Sequence, residues 1–179
     1  MDATAKYAEH IEKIARIVQD GFLDISKKIK SGKLTQEQKT AVNSLPHDVI
    51  TAEAVNRLAK FPNDCCMDAA HVLAIIFIAI AEQSGNKHEQ LEFIRCMPTE
   101  NTKIKMFDFH QWLMVDGFHV DITFGQLKTV QKDNTHKIVF PIHPIIGNDD
   151  YIYASAKATS EDAFAVFANY IIINYFRKP

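Results

Sequence analysis

Three observations predict an α+β fold. The first 60 residues carry helical stripes, the segment 90–123 alternates like strands around an Asp116-Gly117 pair, and the chain from Glu161 onward is helical again. A chain of 179 residues is long enough for one domain with a sizeable core and short for two. A single domain over 1–179 is therefore expected, with a helical part at 1–60, a middle part at 61–126 that holds the chemically active side chains, and the remaining strands and last helix at 127–179.

From Ala5 to Lys30, Ile11, Ile14, Val18, Phe22, Ile25 and Ile29 recur at spacings of three and four, one stripe of an amphipathic helix. Ser31-Gly32 ends it. Thr35 with Gln38 reads as a capping box opening a shorter helix. Pro46 breaks the chain, and Thr51 is placed to cap a helix over Ala52–Lys60. Phe61-Pro62 then turns into Asn63 and Asp64, both good N-cap residues, followed by a helix with no breaker before Gly85. Strands are expected over Gln90–Met97, Lys103–Val115 and Phe118–Thr123, with weaker ones over Lys137–Phe140 and Tyr151–Ser155. Ser160 is placed to cap a final helix over Glu161–Phe176.

Composition narrows the function classes. The chain is 47% hydrophobic and 23% charged with a formal net charge of -2, so nothing calls for nucleic acid. The apolar run Val72–Ala81 has ten residues, against the roughly 20 of a spanning helix, so a core helix rather than a membrane partner is expected. Three cysteines, two of them adjacent, do not form a disulfide framework. The N-terminus lacks the basic and then apolar secretory pattern, so a cytoplasmic location is expected, although delivery by a signal-independent machine leaves the same trace. No cofactor is expected.

Cys66 falls in the first turn of the apolar helix, where unpaired N–H groups and the helix dipole favour thiolate. The Asp-Gly turn fixes a hairpin register, because both of its residues accept positive φ. Val115 pairs with Phe118, Met114 with His119, Leu113 with Val120 and Trp112 with Asp121. His110, Trp112, Met114, His119, Asp121 and Thr123 then share one face, and Leu113, Val115, Phe118, Val120 and Ile122 the other. His110 lies diagonally from Asp121, roughly 7–8 Å between α-carbons, which the two side chains can bridge. Cysteine, histidine and carboxylate in this order supply a nucleophile, a base and a group that orients the base.

The stretch Phe61-Pro62-x-x-x-Cys66-x-Asp68-Ala69-Ala70, followed by a long apolar helix, and then His110-x-Trp112-x-x-x-Asp116-Gly117-x-x-Val120-Asp121-Ile122-Thr123-x-x-Gln126, resembles the transglutaminase-like group of papain-fold cysteine enzymes. The resemblance covers Phe61 to Gln126. It implies a papain-like core with the central helix packed on an antiparallel sheet, and it carries over Cys66 as nucleophile, His110 as base and Asp121 as orienter. Many relatives have a small residue after the cysteine, where this chain has Met67.

The expected activity is cleavage or exchange of an amide bond through a thioester, on a protein or peptide substrate: protease, deamidase or transglutaminase-like. The alternative is a catalytically silent papain-like binding or immunity module. A third reading, acyl transfer in the manner of arylamine acetyltransferases, rests on Val120–Gly125, but the surroundings of Cys66 do not fit that motif. Cys66 N–H supplies one oxyanion donor, and Asn63 and Gln126 are candidates for the second. Trp112 either walls the cleft or packs in the core. Cys65 and Cys96 read as structural, and His71 as bonding locally to Asp68. His110 and His119 stand roughly 13–14 Å apart in this register, so no metal site is expected from them with Asp121. His10, His47, His88, His136 and His143 show no ligand spacing and suit the surface.

Overall fold

The structure, a computed structural model, describes residues 2–46, 53–85, 87–88, 90–100, 102, 109–127 and 137–176. The long stripe forms α1 (Ala3–Lys30), with Ile11, Ile14, Val18, Phe22 and Ile25 buried along one side. Gly21 lies on this helix where a Cβ would come within 2.6 Å of Ile171 Cδ1, so a side chain there would require Ile171 to shift. Next comes α2 (Gln36–Asn43), opened by the predicted capping box: Gln38 N–H donates to Thr35 Oγ1, and Thr35 N–H donates to Gln38 Oε1. Helix α3 (Ala54–Ala59) starts after Glu53 as N-cap, and the predicted cap Thr51 lies outside the described residues.

The central helix α4 (Cys66–Ser84) has Cys65 as its N-cap residue, with no side-chain cap. The expected caps do other things. Asp64 adopts φ 60° and pairs with Lys60, and Asn63 lies exposed in the preceding turn. Behind the first turn, Arg57 on α3 grips Asp68 with two hydrogen bonds of 2.9 Å, and its Nη2 also donates to Pro46 O. Asp68 is therefore engaged by Arg57 rather than by His71. The His71 ring lies between Phe93 and Phe164, with Nδ1 3.4 Å from Glu161 Oε1. At 19 residues α4 is longer than the ten-residue run implied; by length and composition alone it is apolar enough to cross a membrane. Of the 18 most apolar consecutive residues of α4, 61% is buried inside the structure, against α5, β2 and the main core.

Five antiparallel strands follow in the order β4-β3-β2-β1-β5: β1 (Leu91–Pro98), β2 (His110–Val115), β3 (Phe118–Val120), β4 (Val139–Phe140) and β5 (Tyr151–Lys157). Asp116 and Gly117 take φ 48° and 85°, and the predicted pairs 113–120, 114–119 and 115–118 are all present. The predicted pairing of Trp112 with Asp121 is absent because β3 stops at Val120. Asp121 turns its N–H to Ile138 O while its own carboxylate captures Thr123 N–H and Oγ1, which diverts the chain into a 3-10 turn at Phe124–Gln126. The N-terminal part of the predicted strand over Lys103–Val115 lies, for 103–108, outside the described residues. Helix α5 (Asp162–Ile171) takes Glu161 rather than Ser160 as N-cap and runs into a π-helical turn at Ile172–Phe176.

The two faces of the sheet do different work. Phe93, Leu113, Val115, Val120 and Ile122 join the helices in the main core. The other face carries a smaller cluster of Ile94, Cys96, Trp112, Phe124, Leu127, Phe140, Ile145 and Tyr151. The architecture is α+β, with the helices chiefly on one face of an antiparallel sheet.

Candidate active site

Cys66 opens α4 and His110 opens β2, so backbone geometry rather than side-chain reach sets both positions. The Cys66 side chain lies within hydrogen-bonding reach of the His110 ring. His110 Nε2 lies 2.7 Å from Asp121 Oδ2. The structure thus brings the three residues together in the order cysteine, imidazole, carboxylate. Cys66 is 9% exposed, His110 0% and Asp121 1%, so the pair beyond the sulfur is shut off from water.

Asp121 accepts four hydrogen bonds, two on each oxygen. Thr123 N and Oγ1 lie 2.9 and 2.8 Å from Oδ1, while His110 Nε2 and His143 Nε2 lie 2.7 and 3.2 Å from Oδ2. Burial alone pushes its carboxyl up, but the His110 charge and these hydrogen bonds outweigh burial and hold it well below the usual carboxylate range. His110 is the mirror case. Burial pulls it down, yet the Asp121 charge and hydrogen bond, with smaller contributions from Cys66, push it up to about 10. The balance favours the protonated ring at neutral pH.

His143 corrects the expectation of a surface residue. It is 0% exposed, stacked on Trp112 with ring centroids 4.1 Å apart and planes at 16°. Facing a carboxylate with Nε2 and the Ile145 N–H with Nδ1, it carries its proton on Nε2. Burial lowers its pKa and keeps the ring neutral. No signal in the sequence spacing marks it: it comes from the irregular segment after β4, brought back over the sheet by packing against Phe124 and Phe140. Trp112 packs in the core, 1% exposed, and donates its Nε1–H to His119 Nδ1 at 2.9 Å. Burial, and then the neighbouring His143, lower His119 to about 4.

The other sequence-predicted residues divide. Gln126 Nε2 lies 2.7 Å from His110 Nδ1, so its amide engages the His110 ring. It donates to the neutral ring; toward the imidazolium it must turn its Oε1 instead. Asn63 sits exposed in the turn before α4. Cys65 donates to Arg57 O, and burial above all holds its thiol far above the ordinary range; Cys96 is pushed up to about 12, again chiefly by burial. His10 is exposed, His88 is partly buried, and His47 and His136 lie outside the described residues.

No protein-family model, no curated protein and no solved structure matches the chain. Its chemistry must therefore be read from these side chains alone. One rival grouping exists: ligand atoms of His110, Asp121 and His143 all lie within 4.8 Å of one another. Both imidazoles already hold protons against the same Asp121 oxygen, and a cation there would have to displace two protons and break both hydrogen bonds. The donor set fits a proton-holding network better than a metal centre.

Proposed function

We propose that the chain is a papain-like, transglutaminase-like cysteine enzyme that acts on the amide carbonyl of a protein or peptide. The observation that carries this reading is the His110 ring placed beside the Cys66 side chain with its Nε2 2.7 Å from the Asp121 carboxylate. The Cys66 thiolate adds to the carbonyl carbon, and the oxygen takes up charge against the Cys66 N–H. The tetrahedral adduct breaks its C–N bond as the ring proton passes to the leaving amine. A thioester and a neutral imidazole result. His110 then takes a proton from water or from an incoming amine as that nucleophile adds to the thioester, and the thiolate leaves. Water gives hydrolysis or deamidation, and an amine gives transamidation.

The test is labelling of the folded protein by iodoacetamide at pH about 6. Wild type and Cys65→Ala are expected to acquire one adduct at Cys66 faster than glutathione does under the same conditions, and Cys66→Ala to acquire none. Labelling of native Cys66 no faster than glutathione would overturn the enzyme reading. The second reading, a silent papain-like binding module, then takes its place. It draws on the near-complete burial of Cys66 and His110 and on the Gln126 amide against the base.

His143 acts in this scheme as a positioning residue for Asp121. His143→Phe keeps a ring against Trp112 and removes the donor, so labelling of Cys66 should slow by about tenfold or more, since a hydrogen bond to a charged group contributes about 1.5–3 kcal/mol. His143→Gln, whose amide can donate to Asp121, should recover most of the rate. If the Phe variant loses thermal stability but labels at the wild-type rate, His143 serves the fold alone.

A further inference from the structure

The opposite end of α4 carries a second feature that the proposed chemistry does not use. Cys66 and Ser84 are separated by 18 residues, about 27 Å along a helix. Around Ser84, between the start of α1 and the end of α4, lies a cavity of about 300 Å³. Its apolar wall includes Ile14, Phe77 and Ile80, and its polar side is formed by Tyr7, Lys87 and His88, with His10 beside them.

Two of these polar groups, Tyr7 and His88, are held in place from the hairpin turn. Asp116 Oδ2 accepts from the Tyr7 hydroxyl and lies 2.8 Å from His88 Nδ1, while Oδ1 accepts from Gln90 N–H at 2.8 Å. Asp116 does not itself line the cavity. It fixes the His88 ring by Nδ1, and His88 lines the cavity alongside Lys87. Among the described residues every ionisable group of the lining is a lysine, a histidine or a tyrosine, and none is a carboxylate.

An apolar wall with a lysine and a histidine on one side has a definite chemical complement. The geometry points to a binding site for a small amphipathic carboxylate, with an aliphatic or aromatic body against Ile14, Phe77 and Ile80 and its acid head on Lys87 and His88. The volume lies at the lower end of the range for small-molecule pockets, about 300–1,000 Å³, which limits the body to a short chain or a single ring. The head group gains charge-assisted hydrogen bonds, and the body gains burial. The site is independent of the Cys66 chemistry, and its ligand need not be the substrate.

Octanoate is a suitable probe, titrated calorimetrically into the full chain with octan-1-ol and octylammonium as controls. Saturable one-to-one binding of octanoate is expected, with octylammonium and octanol weaker by at least about tenfold. Lys87→Gln, a change at an exposed position, should weaken octanoate by a similar factor and leave octanol unaffected. Ala81→Phe, which fills the cavity, should abolish binding of all three. If that variant does not fold, the Lys87→Gln comparison decides. The proposal is overturned if octanoate does not saturate, if octanol binds as tightly, or if Lys87→Gln leaves octanoate affinity unchanged.

Discussion

Asp121→Asn is expected to lower the rate of Cys66 labelling at pH about 6 by about two orders of magnitude and to cut the stability of the fold at the same time. The rate effect follows from the proton inventory. With Asp121 ionised, His110 keeps its charge in spite of complete burial and can stand as the partner of a thiolate. Asparagine offers the ring no charge, so burial governs, the imidazole becomes neutral and Cys66 loses its cationic partner. Turnover of an amide substrate should fall further, because the wrong imidazole tautomer alone costs about 10⁴-fold in a comparable triad.

The stability effect has a sign that can be checked against pH. The folded pKa of His110 is raised from its ordinary 6.5 to about 10, so its contribution is fully present below about 6.5 and is lost as pH rises through about 10. Asp121 is depressed, so its contribution is present above the ordinary carboxylate pKa of about 3.9 and is lost as pH falls below it. The pair therefore stabilises most between about pH 4 and 6.5. In Asp121→Asn the remaining histidine is buried and neutral, and its contribution reverses: present above about 6.5, lost as pH falls. Removing one partner of a buried ion pair costs about 3–5 kcal/mol, or roughly 6–20 °C in melting temperature for a chain of this size. Melting curves of wild type and variant should diverge most near pH 5 and approach each other toward pH 9. Parallel curves across that range would show that Asp121 does not charge His110.

The hairpin was legible in sequence because one local motif sets it: Asp116-Gly117 fixes the turn, the turn fixes the register, and strand alternation puts His110 and Asp121 on one face. Cys66 at the mouth of α4 was legible for a similar reason, since Pro62 and Gly85 bracket one uninterrupted apolar helix. What failed to show was set by tertiary contacts. Asp68 reads locally as a partner for His71, three residues on, but α3 brings Arg57 onto it with a fork of two hydrogen bonds. His143 reads as a loop residue between two prolines, and only the packing of that loop over Trp112 delivers it to Asp121. The chain also leaves β3 earlier than alternation implies, because Asp121 spends one oxygen on the backbone of Thr123. A side chain that serves the site by ending its own strand is invisible to a period-two pattern.

Arg57 joins the two ends of this logic, because it holds the first turn of the helix that presents Cys66. Its side chain is 7% exposed and that of Asp68 3%, so each charge depends on the other rather than on water. Arg57→Leu leaves the Asp68 carboxylate buried with only the α4 dipole to face, and frees Pro46 O from its donor. A loss of about 3–5 kcal/mol is expected in chemical denaturation. The double variant Arg57→Leu, Asp68→Leu removes both charges, and replacing a buried pair by apolar groups is often nearly neutral. It should therefore recover most of the stability that the single variant loses. Cys65 sharpens the reading, since its thiol donates to Arg57 O and ties α3 to the N-cap of α4 through backbone that both variants retain. If the helix start is set by that tie, the double variant should still label at Cys66 near the wild-type rate. A stable double variant with a slowly labelling Cys66 would instead make the Arg57–Asp68 pair the element that aims the sulfur at His110.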